Sequence, residues 1–178
     1  MARYSRERIG QLIGASGSSR TNPERGRAFE DLACYLFDKV PGISIARRDA
    51  LNEFASEEID VAFWNERPRN GFYFLDHVII LECKNWSSPL SSSEVSWFDS
   101  KLKRRGLDFG VLVAANGITG ISSDRSAAHQ VVASALAEGR RIVVITIEEI
   151  VQLTSTDDLV VLIQEKLCEL AVSGTLFN

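Results

Sequence analysis

Histidine, cysteine and proline are scarce in this chain of 178 residues, which has two histidines, three cysteines and four prolines. The cysteines are far apart and form no C-x-x-C pair, so the sequence indicates neither a disulfide framework nor a zinc site and favours a reducing compartment. The two histidines are isolated and lack the spacing of metal ligands. These residues are Cys34, Cys83, Cys168, His77 and His129.

Long hydrophobic runs are also missing. No apolar stretch approaches the length that crosses a membrane, and the basic N-terminus is followed by no apolar region of a secretory signal. The sequence therefore predicts a cytoplasmic protein without a membrane partner. The formal net charge is −4, which counts against a protein that coats nucleic acid through bulk positive charge. It does not exclude an enzyme that reaches phosphates with a local patch and a bound cation.

The composition, with 45% hydrophobic and 25% charged residues, is that of a globular chain able to bury one core. We expect a basic N-terminal segment at residues 1–22, which is flexible or forms a short helix at residues 5–13 before a linker. Residues 23–178 are expected to form a single domain. The segment 1–22 also contains several arginines that are candidates for a nucleic-acid arm.

Hydrophobic periodicity and turn residues predict a three-layer α/β fold. An antiparallel meander begins the sheet, and right-handed parallel crossovers follow it. An amphipathic helix starts after a cap at Asn22 and ends before Pro41-Gly42. The predicted strands are Ile43–Asp49, Glu57–Trp64, Gly71–Lys84, "LDFGVLVAANG" and "RRIVVITI". The remaining predicted helices are Glu94–Arg105, Ser123–Glu138 and one within "TSTDDLVVLIQEKLCELAVSG".

Two charged residues end the apolar strand "HVIILECKNW". Side chains alternate along a strand, so Glu82 and Lys84 share one face, together with Val78 and Ile80. The strand is apolar on both faces up to Leu81, which predicts a central strand covered on both sides. Glu82 and Lys84 then stand at its C-terminal end, where sites form in α/β sheets.

Asp60 lies in the middle of the preceding strand, "EEIDVAFW". If the two strands form a hairpin, Asp60 comes opposite or diagonal to Glu82, and two carboxylates held that close need a proton or a cation between them. Magnesium prefers such oxygen ligands. Lys84 is near enough to orient or deprotonate a metal-bound water, or to stabilise a negative transition state. These groups together predict a site that hydrolyses phosphodiesters.

"ID" followed by "ECK" resembles the signature of the PD-(D/E)xK nuclease superfamily. The segments "GRAFEDLACYLFDKVPG", "EEIDVAFW", "VIILECKNW" and "GVLVAANGITG" are similar, in kind and order, to those of the Mrr-like restriction endonucleases. The resemblance covers residues 26–120. It implies a restriction-endonuclease-like αβββαβ core with a mixed sheet, followed here by additional C-terminal helices.

The resemblance also implies a metal-dependent DNA endonuclease of the restriction, defence or repair type. Asp60 and Glu82 would hold Mg²⁺, with Mn²⁺ as a substitute, and Lys84 would act at the attacking water. Glu30 on the first helix would complete the acidic cluster, and the backbone carbonyl of Cys83 would be a further metal ligand.

Many relatives place a glutamine on the helix after the lysine, and residues 85–108 contain none, so Lys101 or Glu94 is expected in that neighbourhood. This departure keeps open a catalytically inactive subunit that binds DNA or assembles with other chains. A plain interaction domain that docks a partner on its C-terminal helix is a further alternative.

Candidate contacts to DNA are Arg47, Arg48 and Lys101, although surface solubility or the helix dipole would also explain these cations. Trp86 is placed to stack on a base, while packing is the commoner role for such a residue. The sequence has no recognisable DNA-reading module. This absence and the small size favour a homodimer or a subunit of a larger defence complex.

Overall fold

A computed structural model describes residues 2–18, 21–51, 58–119 and 127–175. Three residues of the predictions lie outside this part of the chain: Arg20 of the N-terminal segment, Glu57 at the start of a predicted strand and Ser123 at the start of a predicted helix. The helices are α1 Arg6–Ser18, α2 Asn22–Phe37, α3 Ser92–Arg104, α4 Ala127–Ala137, α5 Ile147–Gln152 and α6 Thr156–Ser173. The strands are β1 Ile43–Leu51, β2 Glu58–Asn65, β3 Val78–Lys84, β4 Phe109–Ala114 and β5 Arg141–Ile145. None of the described helices has the length and apolar character needed to cross a membrane.

The five strands form one mixed sheet in the order β1-β2-β3-β4-β5. The first three strands are antiparallel neighbours, whereas β4 runs parallel to β3 and β5 runs parallel to β4. The elements from α2 to β4 follow the order αβββαβ. The predicted meander, parallel crossovers, α/β class and C-terminal helices are therefore confirmed.

Each face of the sheet packs against its own layer of helices. Along β3, Ile79 and Leu81 belong to a buried cluster that includes side chains of α1, α2 and α6. Ile80 points the other way, into a cluster that includes side chains of α3 and α4. The apolar sequence of β3 therefore reflects a central strand that is covered on both faces.

The first turn of α2 is fixed by a capping box. The Thr21 hydroxyl accepts a hydrogen bond from the Glu24 N–H, and the Glu24 carboxylate accepts one from the Thr21 N–H. Pro23 in the first turn suits the helix because its missing N–H would have no partner there. The N-cap of α2 is thus Thr21, one residue before the predicted cap at Asn22. The capping box fixes the start of the helix that carries Glu30.

Close packing of α3 on β4 depends on Gly110. A Cβ atom at this position would lie 2.7 Å from Cζ of Phe98 and 2.8 Å from Cδ2 of Leu102. Both side chains belong to α3 and are buried. The glycine therefore lets α3 approach the sheet closely, which also brings Lys101 of the same helix toward β3.

The third strand is shorter than predicted, because it begins at Val78 and not at Gly71. The preceding residues form turns whose Phe72 and Leu75 side chains are buried. The buried Asn65 amide Nδ2 donates to the carbonyls of Phe72, at 2.9 Å, and Asp76, at 3.1 Å. This segment therefore buries its apolar side chains and pairs its carbonyls as a folded loop, without forming a strand.

The N-terminal region is helical for longer than predicted. The "GASGS" segment, which was predicted as a linker, completes α1. Tyr4 is buried, and its hydroxyl donates to the carbonyl of Leu36 at 2.8 Å. The short helix α5 was not predicted. The predicted strand "RRIVVITI" runs past the end of β5 at Ile145, and a capping box at Thr146 starts the helix there.

Candidate active site

The hairpin of β2 and β3 brings the two central carboxylates to one level of the sheet. Val61 pairs with Leu81 and Ala62 pairs with Ile80, so the same register sets Asp60 beside Glu82. Oδ2 of Asp60 accepts a hydrogen bond from the backbone N–H of Cys83 at 2.6 Å. Asp60 is therefore anchored to β3 between the two charged residues of the "ECK" segment.

Glu82 is buried and binds two lysines. Its Oε1 lies 2.8 Å from Nζ of Lys84, and its Oε2 lies 2.6 Å from Nζ of Lys101. The Lys84 side chain is 25% exposed, whereas that of Lys101 is 4% exposed. A carboxylate at this depth needs such partners, because an unpaired buried charge is strongly destabilising.

The carboxyl groups of the site perturb one another. Burial raises the pKa of Asp60 to about 6, with a further upward contribution from Glu82, while the Cys83 N–H and the two lysines act in the opposite direction. Burial also raises the pKa of Glu30 to about 7, and the Asp60 charge adds to this shift. Glu30 and Glu82 are thus both coupled electrostatically to Asp60, which is the central member of the acidic group.

Glu30 projects from α2 toward this group. Its Oε2 is buried and receives no hydrogen bond, and the nearest cation is Nη2 of Arg48 at 3.6 Å. The same Arg48 atom makes a shorter contact of 2.8 Å with Oδ1 of Asp31. Arg48 therefore neutralises Glu30 only in part, which agrees with the raised pKa of that carboxyl.

Lys84 remains a cation in this environment. Burial lowers the pKa of Lys84, but the contact with Glu82 outweighs it, so that the net change is upward. Cys83 lies between Glu82 and Lys84 in the chain, and burial raises the pKa of its thiol well above the ordinary value. The thiol is therefore protonated at neutral pH, and the backbone of Cys83 is the part that contacts the acidic group.

The three cations predicted to contact DNA occupy different surroundings. Arg47 is exposed and donates to the carbonyl of Ala46 at 2.9 Å. Arg48 is engaged by Asp31 and Glu30, and Lys101 is buried against Glu82. Of the three, Arg47 is therefore the residue best exposed to a phosphate, while Lys101 belongs to the interior of the site.

Lys101 lies on α3, the helix that follows the "ECK" segment. The sequence suggested Lys101 or Glu94 for this neighbourhood, and the structure brings Lys101 into direct contact with Glu82. Glu94 acts at longer range, because its charge contributes to the upward change in the pKa of Lys84. The buried position of Lys101 has a weak sequence signal, namely a lysine on the apolar face shared with Phe98 and Leu102.

The donor atoms suit a hard divalent cation, because the three acids offer carboxylate oxygens and Oε2 of Glu30 is buried without a hydrogen bond. A cation would also stabilise these buried carboxylates, whose pKa values are raised by burial and further by their mutual repulsion. In the described part of the chain, however, no three His, Cys, Asp or Glu residues are arranged as a metal site. Both Glu82 oxygens contact ammonium groups. A cation that binds Glu82 would therefore share an oxygen with a lysine or displace one.

Comparison with known proteins shows the family to which this chain belongs. Residues 23–154 match the model of the restriction endonuclease family formed by Mrr-type catalytic domains. No curated protein sequence matches this chain significantly. Among solved structures, the chain is similar to the DNA modification-dependent restriction endonuclease AspBHI, with 18% sequence identity and a TM-score of 0.43. That match covers 96% of this chain and 41% of the AspBHI chain, so this chain spans less than half of that enzyme.

Proposed function

Because this chain belongs to the Mrr-like restriction endonuclease family of PD-(D/E)xK nucleases, we propose that it is a metal-dependent deoxyribonuclease that hydrolyses phosphodiester bonds. One observation carries this proposal: Asp60 and Glu82 lie at the same level of adjacent strands, with Lys84 bound to Glu82. Cleavage of DNA in defence or repair, in the cytoplasm, is the biological setting that agrees with this chemistry.

Asp60 and Glu82 are the residues proposed to hold Mg²⁺, for which Mn²⁺ would substitute. Glu30 and the backbone carbonyl of Cys83 would add oxygen ligands. When bound, such a cation lowers the pKa of a coordinated water and neutralises charge on the phosphate. The hydrogen bond from the Cys83 N–H to Asp60 would orient this carboxylate toward the ion, in the way that outer contacts orient metal ligands.

Lys84 is proposed to stabilise the negative charge that develops on the phosphate and to orient the attacking water. It is half-buried and cationic, and it is held at one Glu82 oxygen, so its position is fixed before substrate binds. Donors held in place in this way contribute more than mobile ones, because no reorganisation is needed during the reaction.

Lys101 is proposed to be a positioning residue. Its ammonium is buried against Oε2 of Glu82 and is therefore remote from solvent. It would keep the Glu82 carboxylate in place when no cation is bound. It would also compete with the cation for that oxygen, which ties metal affinity to the strength of the Lys101–Glu82 pair.

A supercoiled-plasmid assay with Mg²⁺ or Mn²⁺ tests the proposal. Wild type should nick the plasmid, and Glu82→Ala and Lys84→Ala should each reduce nicking by about 100-fold or more. Lys103→Ala is the matched control, because Lys103 is 64% exposed and pairs with Glu138 away from the site. Equal nicking by all four proteins would identify a contaminating nuclease and contradict the proposal.

A second candidate function is a nuclease fold that binds DNA or assembles without cleavage. The double lysine contact of Glu82 favours it, because this contact leaves neither oxygen of the carboxylate free in the absence of a cation. The same preparations distinguish the two functions. A protein that binds duplex DNA in a mobility-shift assay but shows no nicking with either metal would support the second candidate.

A further inference from the structure

A cavity of about 450 Å³ opens beside Lys84, and its size is within the ~300–1,000 Å³ typical of ligand pockets. Its walls come from the start of α2 and from the chain that follows β3. Lys84 is shared by this cavity and the proposed catalytic group. The residues that carry the argument are Arg25, Lys84, Asn85 and Trp86.

The charge of the cavity sets it apart from the rest of the chain. Among the residues that the structure describes, its lining contains two cations, Arg25 and Lys84, together with neutral polar groups, and no carboxylate; Lys84 is itself paired with Glu82. The chain as a whole has a net charge of −4, and a larger cavity beyond β4 and β5 is lined by Glu148, Glu149 and Lys166. The two cations that face this cavity favour an anionic ligand there.

Two polar side chains of the cavity, those of Asn85 and Arg25, are held in position by α1. Nδ2 of Asn85 donates to the carbonyl of Ser16 at 2.7 Å, and Nε of Arg25 donates to the same carbonyl at 3.3 Å. One carbonyl at the end of α1 therefore fixes residues from both walls. Polar groups ordered in advance bind a ligand with a smaller loss of conformational entropy.

Trp86 adds an aromatic surface to this cationic cavity. Its side chain belongs to a residue that is 44% exposed, and its carbonyl accepts a hydrogen bond from Nδ2 of Asn116 at 2.6 Å. The backbone of Trp86 is thus tethered while much of the residue stays accessible. A nucleobase stacks on such a surface only when it is unpaired or displaced, because bases inside a duplex already stack on their neighbours.

We infer that this cavity binds an unpaired segment of one DNA strand next to the phosphate that is cut, with Trp86 stacked on a base and Arg25 near a neighbouring phosphate. The inference rests on the proposed function, since it places the strand by reference to Lys84. It identifies the preferred substrate as DNA with a single-stranded part, such as a flap, gap or bubble.

The test measures binding in EDTA, so that it is independent of cleavage. The probes are a fluorescein-labelled single-stranded oligodeoxynucleotide of about 12 nucleotides and the same sequence as a duplex, at matched low salt. Fluorescence anisotropy should show tighter binding of the single strand by wild type. Trp86→Ala should weaken that binding by about 5- to 150-fold, and Trp86→Phe should restore most of it.

Trp97→Ala is the matched control, because Trp97 is 43% exposed but lies on α3, outside the cavity. It should bind both probes like wild type. Far-ultraviolet circular dichroism and urea unfolding confirm that each variant is folded. Equal binding of both probes by wild type, no binding of either probe, or unchanged binding by folded Trp86→Ala would each overturn the inference.

Cleavage assays on the same samples separate this inference from the proposed nuclease. Strand-selective binding that depends on Trp86, without metal-dependent nicking, supports the cavity and contradicts the nuclease. Metal-dependent nicking by a protein whose Trp86→Ala variant binds the single strand normally supports the nuclease and overturns the role of the cavity.

Discussion

Nζ of Lys101 lies 2.6 Å from Oε2 of Glu82, and both side chains are almost completely buried. This ion pair joins α3 to the end of β3, at the same carboxylate that binds Lys84 through its other oxygen. The pair therefore connects the stability of the fold to the chemistry of the site. Removing one partner leaves the other charge in a poorly solvated place.

Replacing Lys101 should be costly to stability. We expect Lys101→Met to lower the free energy of unfolding by about 3–5 kcal/mol, because Glu82 loses one of its two cationic partners inside the protein. Urea unfolding followed by circular dichroism measures this change. Lys103→Met serves as the control, and the loss of its exposed contact with Glu138 should change stability by about 0–1 kcal/mol. Equal effects of the two substitutions would show that the buried pair is not a strong constraint.

The same substitution should change metal affinity in the opposite direction to stability. Lys101 competes with a cation for Oε2 of Glu82, so Lys101→Met should bind Mn²⁺ about tenfold more tightly than wild type, which corresponds to about 1.4 kcal/mol. Isothermal titration calorimetry on folded samples measures the dissociation constant. Weaker binding by this variant, with Lys103→Met unchanged, would mean that Lys101 supports the cation and does not compete with it.

The raised carboxyl pKa values predict how the metal-free protein responds to pH. Between pH 5 and 7 the folded state holds protons on Glu30 and Asp60 that the unfolded chain has released, because their folded pKa values are about 7 and about 6. Stability in EDTA should therefore fall as the pH rises through this range. Urea unfolding at about pH 5 and pH 8 measures the slope.

Glu30→Gln removes the larger of these two effects. It should raise the free energy of unfolding at pH 8 by about 1–2 kcal/mol, after allowance for solvent screening, and should flatten the pH dependence. Glu165→Gln on the exposed face of α6 should leave the slope unchanged. A stability that rises between pH 5 and 7 in wild type would contradict the repulsion described between Glu30 and Asp60.

A change in packing at Gly110 should also alter the position of Lys101 in the candidate active site. Gly110→Ala would press a methyl group against Phe98 and Leu102, so we expect a loss of about 1–3 kcal/mol and a displacement of α3 together with Lys101. Gly10→Ala in α1 is the control, because, in the described part of the chain and apart from the neighbouring backbone of α1, no atom lies within 4 Å of the added Cβ, and alanine favours a helix. Thermal unfolding compares the two variants. A neutral effect of Gly110→Ala would show that α3 has room to move away from the sheet.

Local patterns in the sequence predicted the parts of the fold that depend on neighbours along the chain. Alternating side chains identified β2 and β3 as strands, and helix signals around Pro23 identified α2 within one residue of its cap. The antiparallel pairing of β2 with β3 was predicted, and the observed pair of Val61 with Leu81 is consistent with Asp60 lying beside Glu82. Patterns of this kind are local, and the sequence contains them directly.

Contacts between distant residues explain what the sequence did not reveal. The loop before β3 is folded by the Asn65 amide, which satisfies carbonyls up to eleven residues away. The contact of Lys101 with Glu82 depends on how α3 packs on the sheet, and Gly110 allows that close approach. The cavity beside Trp86 requires α1, α2 and the chain after β3 together. The periodicity of the sequence does not specify such contacts between residues that are distant in the chain.

The central claim is that Asp60 and Glu82 form one metal-dependent hydrolytic centre with Lys84. Mn²⁺ binding by calorimetry and plasmid nicking, measured on the same samples of wild type, Asp60→Asn and Glu165→Gln, test it most directly. We predict that Asp60→Asn binds Mn²⁺ at least about tenfold more weakly and nicks at least about 100-fold more slowly, while Glu165→Gln behaves like wild type. A folded Asp60→Asn protein that keeps both the Mn²⁺ affinity and the nicking rate of wild type would contradict the account.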